Sequence, residues 1–336
     1  MEVPMFDIAY TCMLVEENDD KTFSRRIITR NVNDLPEGDL LIRVRYSSLN
    51  YKDALSATGN KGVTRKFPHT PGIDLAGEVV WCGDKTFKKG EQVIITGYDL
   101  GMNTPGGFGQ YVRVPSSWAL RLPTGLTMRD AMAIGTAGFT AALCVQAVEY
   151  GGTDPDDGEV VVTGATGGVG SVAVSILGGA GYNVVAVTGK PDAGEYLKSL
   201  GAGSIVERGL VLEGSDRPMM KERWAGAVDV AGGDMLAAIV KATRYGGVVT
   251  CCGLVGSSDL SLNVFPFILR GVSLVGIDSV QVPMKRREKV WEQLAGEWKP
   301  EKLMDAVTEV TLEKLDGKID EMLAGKVKGR VVVNLE

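Results

Sequence analysis

Two patterns of hydrophobic and polar residues divide the chain near Pro123. Before this point, short apolar runs are separated by glycine and proline, which predicts β-strands joined by tight turns. Beyond it, such runs alternate with segments of helical length, as in βαβ units that build a parallel sheet. The predicted strands are residues 40–45, 77–81 and 92–96 in the first part and residues 160–163, 183–188, 204–206, 227–230 and 248–252 in the second.

The second part predicts a doubly wound sheet, because its strands are nearly continuous apolar runs of the kind buried on both faces. Helices are predicted at residues 168–179, 192–200, 234–244 and 264–269, and later strands at 272–277 and 329–333. We expect the C-terminal tail to return to the first domain. The fold class is therefore α/β, with a β-rich domain at 1–126 and 280–336 and a parallel-sheet domain at 127–279.

Length and composition agree with two ordinary globular domains, because 336 residues exceed the size at which one core keeps growing. The formal charge of −6 argues against general affinity for nucleic acid or anionic membranes. The five cysteines lack metal-binding spacing, and the start MEVPMFDIAY lacks a leader pattern. No apolar run approaches the roughly 18 residues that span a bilayer. We expect a cytoplasmic protein with reduced thiols.

The most informative motif is the run VVVTGATGGVGS at residues 160–171, a buried strand that enters a glycine-rich turn and a helix. Glycines at 164, 167 and 170 allow a tight turn, close approach of a pyrophosphate and close helix packing. The spacing GxxGxxG departs from the strict GxGxxG pattern, and a purely structural turn is the alternative. The predicted dinucleotide-binding residues are Gly164, Thr166, Gly167, Gly168, Val169 and Gly170.

The end of the second strand in this part predicts which dinucleotide is bound. An acidic residue there would bind a ribose 2′-hydroxyl, but the chain has Thr188, Gly189 and Lys190. A hydroxyl and an ammonium attract a 2′-phosphate, which favours NADPH over NADH. The alternative is that Lys190 is a solvated loop residue and Asp192 is a helix N-cap.

Three further segments carry a resemblance to a known family: SLNYKD at 48–53, PGIDLAG at 71–77 and IGTAGFT at 134–140. With residues 196–202, 224–227 and 266–270, they resemble the zinc-free quinone oxidoreductase type of medium-chain dehydrogenase/reductases, in the NADPH-dependent acrylyl-CoA reductase branch. The resemblance implies a GroES-like catalytic domain, a Rossmann domain and an active site in the cleft between them. It also implies reduction of acryloyl-CoA and a homodimer, for which residues 272–277 offer an edge strand.

The chain departs from the zinc-containing members of the superfamily at the positions that would form their zinc site. Residues 50–53 contain no cysteine, Ile73 and Asp74 occupy the place of a His-Glu pair, and residues 91–109 contain no cysteine. His69 is the only histidine and reads as a loop residue rather than a ligand. Without a metal, the substrate must supply its own electron sink, as a conjugated thioester or a quinone does.

The candidate catalytic residues are Tyr51, which could orient substrate or nicotinamide and donate a proton, and Asn50, which would support it. The alternative is that Tyr51 only packs at the domain junction. Lys52 and Asp53 are equally consistent with an exposed ion pair. Further cofactor contacts implied by the resemblance and by positions at strand ends are Thr136, Arg208, Leu254 and Ser279.

A basic loop at residues 59–66 is a candidate anchor for the phosphates of coenzyme A, with Lys285, Arg286 and Arg287 as a second candidate. Basic runs are usually solvated surface, which is the competing interpretation. Two other functions stay open. A quinone reductase would use the same NADPH site with an aromatic acceptor, and a catalytically inactive NADPH-binding structural or regulatory protein would keep the fold alone.

Overall fold

The computed structural model describes residues 5–336. Its helices and strands form two compact units. One unit contains the described residues up to Thr136 together with Val280–Ala295 and Val307–Glu336, and the other contains Ala137–Ser279 and Gly296–Ala306.

The first unit is built mainly on antiparallel strands. A two-stranded sheet pairs β1 (Ala9–Glu17) with β2 (Phe23–Asn31), and a seven-stranded sheet has the order β14-β15-β3-β4-β5-β7, with β6 paired to β3. The strands of the larger sheet are β3 (Leu40–Leu49), β4 (Asp74–Cys82), β5 (Gln92–Thr96), β6 (Tyr111–Val114), β7 (Leu120–Arg121), β14 (Thr308–Thr311) and β15 (Val331–Asn334). Helices α1 (Tyr51–Ala57), α8 (Met284–Ala295) and α10 (Leu315–Leu323) complete the unit. Its core is an apolar cluster that includes Leu40, Ile42, Leu75 and Val333.

The second unit contains a six-stranded parallel sheet with the order β10-β9-β8-β11-β12-β13. In sequence order this is 3-2-1-4-5-6, the doubly wound arrangement that binds ligands where the strand order reverses, here between β8 and β11. Its strands are β8 (Glu159–Val162), β9 (Asn183–Thr188), β10 (Ser204–Glu207), β11 (Trp224–Asp229), β12 (Thr243–Cys251) and β13 (Ser273–Gly276). The helices are α3 (Gly168–Gly179), α4 (Gly194–Leu200), α5 (Arg208–Leu212), α6 (Gly233–Ala242), α7 (Phe265–Arg270) and α9 (Glu301–Met304).

Helix α2 (Met128–Tyr150) changes direction at Gly135, whose φ of 54° interrupts the helical backbone. The first residues of α2 therefore belong to the first unit and the rest to the second. The compact units differ from the predicted domain ranges in two places: residues 127–136 lie with the first unit and residues 296–306 with the second. The second difference arises because α9 carries the fully buried Leu303 and packs against α3 and α4.

The predicted α/β fold class is confirmed. β5, β9 and α3 begin and end at the predicted residues, and β15 returns the tail to the first unit by pairing with β3. Most of the other elements begin or end at residues other than the predicted ones, and two of these differences stand out. β12 begins at Thr243 rather than Val248, because the chain continues extended through an exposed, glycine-containing segment, and the helix predicted at 192–200 begins as a 3-10 turn.

The expectation that no segment is long and apolar enough to span a membrane is also wrong. Helix α2 meets that test by length and composition, although 89% of its apolar window is buried, as in the core helix of a soluble protein. Its alanines, glycines and threonines hide the apolar length when runs are counted residue by residue. The expectation of no leader sequence rests partly on residues 1–4, which lie outside the described residues.

Candidate functional site

The glycine-rich turn lies at the carboxyl end of β8, beside the point where the strand order reverses. Gly164 has a φ of 54°, a conformation that L side chains rarely adopt, and Gly167 donates its N–H to the Gly164 carbonyl at 2.9 Å. Gly167 is the N-cap of α3 and supplies no capping side chain. The first amides of this twelve-residue helix, at Gly168, Val169 and Gly170, thus lack intrahelical acceptors and favour an anion.

Gly170 allows α3 to lie directly on the turn. A Cβ at this position would stand 2.3 Å from the Gly164 carbonyl oxygen and 2.8 Å from the Ala165 Cα, both in the main chain. Thr166 is buried between these glycines. The local geometry therefore fits the pyrophosphate of a dinucleotide: an open helix N-terminus, a turn that requires glycine, and close packing against the sheet.

A buried network that the sequence analysis missed fixes this turn to the neighbouring strand. The Thr163 hydroxyl donates to Asp229 Oδ1 at 2.7 Å and accepts from the Val230 N–H, while the Gly232 N–H donates to Asp229 Oδ2 at 2.7 Å. Burial raises the pKa of Asp229. An acidic residue within the predicted strand 227–230 was the available signal, since a buried carboxyl needs partners.

At the end of β9 the structure brings four predicted cofactor residues together. The Lys190 N–H donates to the Thr188 hydroxyl at 3.0 Å, and a Cβ on Gly189 would lie 3.1 Å from the Arg208 guanidinium. Arg208 reaches this turn because β10 pairs with β9 and places Glu207 opposite Thr188. The alternative that Asp192 is an N-cap is wrong: Lys190 is the N-cap of the 3-10 turn and Asp192 lies inside it.

Two other predicted cofactor residues lie elsewhere at strand ends of the same sheet. Leu254 follows β12 and is 67% exposed. Ser279 follows β13 and accepts a hydrogen bond from the Thr140 hydroxyl at 2.8 Å. The neighbouring Cys251 and Cys252 are free thiols whose pKa values are raised, at Cys251 mainly by burial and at Cys252 mainly by a hydrogen bond with Cys144.

The first unit contains the other candidate residues around a buried polar cluster. Its centre is the Asp74 carboxylate, which is fully buried. Oδ2 of Asp74 accepts from the Ser48 hydroxyl at 2.6 Å, the Asn50 amide at 2.8 Å and the Thr136 N–H at 2.9 Å, and Oδ1 accepts from the Thr136 hydroxyl at 2.5 Å. The cluster comprises Ser48, Asn50, Asp53, Asp74, Thr136 and Arg330.

Arg330 supplies the positive charge of this cluster and is 2% exposed. Its guanidinium donates to Asn50 Oδ1 at 3.1 Å, to the Ser48 hydroxyl at 3.0 Å and to the Ala133 carbonyl at 2.8 Å, and Nη2 lies 4.0 Å from Asp74 Oδ2. Gly135 is required beside it, because a Cβ there would stand 2.6 Å from the guanidinium. No local pattern predicts that Arg330 and Asn50, 280 residues apart, would meet.

Of the two alternatives for Lys52 and Asp53, an exposed ion pair or a catalytic role, the exposed ion pair is wrong. Asp53 is fully buried and accepts from the backbone N–H groups of Asn50 and Ile73, both at 2.8 Å. Burial, followed by the charge of Asp74, raises its pKa to about 7. Asp53 is the third residue of α1 and forms a capping box with Asn50, so it fixes the start of the helix that carries Tyr51.

The two predicted catalytic residues differ in their surroundings: one is hydrogen-bonded within the protein and the other is exposed. The Asn50 side chain donates to Asp74 and Asp53 and accepts from Arg330, so it acts here as a structural support. Tyr51 is the first residue of α1 and is 47% exposed. Thr136, predicted to contact cofactor, donates both its N–H and its hydroxyl to Asp74.

The basic segments considered as coenzyme A anchors are only partly available. Lys61 is paired with Glu17 at 2.7 Å and lies over the Phe67 ring, whereas Arg65 and Lys66 are exposed. Arg287 is 1% exposed and donates to the Thr96 carbonyl at 2.8 Å, so it cannot serve as a surface anchor.

Among residues 5–336, no group of three or more His, Cys, Asp or Glu side chains is arranged to hold a metal ion. His69, expected in a loop, is buried, and its Nε2 lies 2.9 Å from the Gly101 carbonyl. Burial lowers the pKa of His69.

Comparison with known proteins identifies relatives of the whole chain. The Alcohol dehydrogenase GroES-like domain family matches residues 36–124, and the Zinc-binding dehydrogenase family matches residues 168–296. The Acrylyl-CoA reductase AcuI of Ruegeria pomeroyi is 44% identical over 97% of this chain and 99% of its own. YhfP of Bacillus subtilis, whose name assigns it provisionally to the quinone oxidoreductases, is also 44% identical over 97% of this chain and 99% of its own.

Solved structures agree with these matches. The yhdH oxidoreductase of Salmonella enterica, crystallised in complex with NADP, has a TM-score of 0.94 at 44% identity and covers 97% of this chain and 100% of its own. Bacillus subtilis yhfP, crystallised with NAD bound, has a TM-score of 0.95 at 44% identity and covers 98% of this chain and 100% of its own.

Proposed function

Because the chain belongs to the medium-chain dehydrogenase/reductase superfamily, we propose that it reduces the activated C=C bond of acryloyl-CoA to propanoyl-CoA with NADPH and without a metal ion. The observation that carries the proposal is the open N-terminus of α3 on a glycine turn at the reversal point of the sheet. The 44% identity to an acrylyl-CoA reductase over nearly the whole chain supports the substrate.

The preference for NADPH rests on the turn after β9. Lys190 and Arg208 place two cations beside Thr188 and Gly189, and none of these four positions is acidic. Guanidinium and ammonium groups suit the charge of a 2′-phosphate dianion. The neutral 2′-hydroxyl of NADH would not require these cations. The other proposed cofactor contacts are Thr166 and Gly167 in the glycine turn, Gly168 to Gly170 at the start of α3, and Leu254 and Ser279 after β12 and β13.

Lys190→Glu is expected to raise the KM for NADPH about tenfold or more and to leave the KM for NADH nearly unchanged, because the carboxylate repels only the 2′-phosphate. Steady-state kinetics with both cofactors checks this. Lys198→Glu makes the same charge change on α4 and should affect neither KM. An equal rise for both cofactors after Lys190→Glu would contradict the 2′-phosphate assignment.

When bound, NADPH supplies a hydride to the β-carbon of a conjugated thioester. The chain must then hold the acceptor in place, accommodate negative charge on the thioester oxygen and allow a proton to reach the α-carbon. Tyr51 is the proposed source of the proton or of substrate orientation, because its side chain is exposed at the start of α1 while Asn50 and Asp53 fix that helix end.

Tyr51→Phe is expected to lower kcat by about tenfold or more, because it removes the only polar atom of this side chain. Tyr150→Phe removes an exposed phenol at the end of α2 and should leave kcat unchanged. Circular dichroism confirms that both variants are folded. If Tyr51→Phe keeps wild-type turnover and NADPH affinity, Tyr51 does not belong to the site.

The coenzyme A part of the substrate is proposed to contact Arg65 and Lys66, the exposed cations of the basic loop. Replacing both by glutamine should raise the KM for acryloyl-CoA several-fold and leave the KM for a benzoquinone unchanged, since only the thioester carries phosphates. Lys88→Gln with Lys89→Gln, an exposed pair before β5, is the matched control. Unchanged KM values for acryloyl-CoA would refute the contact.

A quinone reductase is the second candidate, favoured by the equal identity to YhfP. Steady-state oxidation of NADPH, followed by its near-ultraviolet absorbance, separates the two when acryloyl-CoA, crotonyl-CoA and a benzoquinone are compared. We expect the highest kcat/KM with acryloyl-CoA. A higher value with the quinone would overturn the thioester assignment, and cofactor binding without turnover of any acceptor would indicate an inactive protein.

We also propose a cytoplasmic homodimer. β13 is one of the two edge strands of the parallel sheet, and α7, which precedes it, carries an apolar patch formed by Phe265, Ile268 and Leu269, each exposed. Edge strands and apolar patches of this kind are commonly covered by a second copy. Sedimentation of the purified chain as a monomer would contradict the dimer.

Five free thiols and the charge of −6 support the proposed cytoplasmic location.

A further inference from the structure

A pocket lies in the first unit, on residues that no proposed step uses. Leu41 on β3 pairs with Trp81 on β4 and with Arg113 on β6, so the three side chains form one row on one face of the sheet. The pocket beside this row has a volume of about 660 Å³, and its walls include Trp81, Arg113 and Leu35. The side chains of Glu37 and Asp39 line the same pocket.

Arg113 is the unusual feature of this pocket. Arg113 is 6% exposed. Its Nε and Nη2 atoms are buried without a hydrogen-bond partner among the described residues. Burial lowers the pKa of Arg113. A buried guanidinium without a partner is costly, because most buried charges are paired.

The carboxylates of the pocket do not compensate this charge. Asp39 instead accepts from the backbone N–H of Ser116 at 2.6 Å and from its hydroxyl at 3.2 Å. Glu37 is exposed at the pocket wall. Neither carboxylate is within ion-pair distance of Arg113 in the described part of the chain. The Nε and Nη2 atoms of Arg113, a residue of the pocket wall, therefore have neither a hydrogen bond nor an ion pair with these carboxylates.

We propose that this pocket binds a small organic monocarboxylate. Nε and Nη2 form one edge of the guanidinium, and their parallel N–H groups match the two oxygens of a carboxylate. Trp81 offers an aromatic wall for the apolar part of the ligand, and the indole is held in place against Gly83, whose added Cβ would meet it at 3.0 Å. A monocarboxylate adds one negative charge to a pocket that already contains Glu37 and Asp39, whereas these two carboxylates repel a dianion such as phosphate more strongly.

Binding requires the guanidinium to turn its unpartnered edge toward the pocket, since both atoms are shielded from solvent. The flexible side chain of arginine allows such a rotation, and the carboxylate then supplies the acceptors that the protein lacks. This site is independent of the proposed oxidoreductase activity, because it shares no residue with either candidate site.

Calorimetric titration of the full chain with benzoate tests the proposal, with benzamide and inorganic phosphate as comparison ligands. Wild type should bind benzoate saturably and should not bind benzamide, and phosphate should not displace benzoate. Arg113→Met should weaken benzoate binding about tenfold or more. This variant is expected to fold, because it replaces an uncompensated buried charge by an apolar side chain of similar length.

Arg43→Met is the matched control, since Arg43 is exposed on β3, two residues after Leu41, and should leave benzoate binding unchanged. Equal binding by wild type and Arg113→Met, or no benzoate binding by wild type, would overturn the proposal. Displacement of benzoate by phosphate would show that the pocket responds to negative charge alone and would contradict the carboxylate assignment. None of these outcomes depends on turnover of NADPH.

Discussion

Gly170→Ala is expected to lower the affinity for NADPH by about a hundredfold or more. The added Cβ would stand 2.3 Å from the Gly164 carbonyl oxygen and 2.8 Å from the Gly164 carbonyl carbon. Both atoms belong to the main chain and cannot rotate away, so the turn and the start of α3 must separate. The amides that would bind the pyrophosphate then lose their common direction.

Gly179→Ala is the matched control for this prediction. It makes the same substitution in the same helix, where an added Cβ meets no atom within 4 Å. It should leave NADPH affinity unchanged and stabilise the helix by about 0.5–1 kcal/mol. Binding is measured by titration of NADPH fluorescence, with circular dichroism to show that both variants are folded. A folded Gly170→Ala protein with wild-type affinity would remove the turn from the cofactor site.

Arg330→Met is expected to destabilise the protein by about 3–5 kcal/mol, the usual cost of removing one partner from a buried charge pair. The variant leaves Asp74 buried without a cation and takes donors from Asn50 and Ser48. Urea unfolding measures the effect. Arg26→Met removes an exposed ion pair with Glu16 and should cost less than about 1 kcal/mol.

The loss in Arg330→Met should also depend on pH. The pKa of Asp53 is about 7 in the folded chain and is raised above its ordinary value, so the folded chain binds this proton more tightly than the unfolded chain. The resulting contribution favours folding at acid pH and is lost as pH rises toward 7. Without Arg330, the negative charge of the cluster is smaller when Asp53 is protonated than when it is ionised. The destabilisation should therefore be smaller near pH 5 than near pH 8, and a pH-independent loss would contradict this account of the cluster.

The glycine turn and helix α3 could be predicted because their conformation depends on residues that are close in sequence. The turn from Gly164 to Gly170 follows from glycine spacing between a valine-rich strand and a helix, and α3 begins and ends as predicted. Arg208 lies close to Gly189 because β9 pairs with β10, and both residues follow the carboxyl ends of these neighbouring strands.

The buried polar cluster could not be predicted in the same way. Arg330 meets Asn50 across 280 residues, and Asp74 meets Thr136 across 62 residues, so only the completed sheet brings them together. The adjacent charges of Lys52 and Asp53 pointed to the wrong pair, because the capping box of α1 turns Asp53 inward. The exposure of Tyr51 follows from the same cap, which places it at the first position of that helix.

A competition experiment tests the central claim most directly. The chain is incubated with limiting NADPH and equal concentrations of acryloyl-CoA and a benzoquinone without oxygen, and both products are quantified. The ratio of products equals the ratio of the two kcat/KM values. The proposed function predicts that propanoyl-CoA forms in large excess and accounts for nearly all of the NADPH consumed. Predominant formation of hydroquinone would contradict the proposed thioester substrate, although the proposed cofactor site would still be consistent with the result.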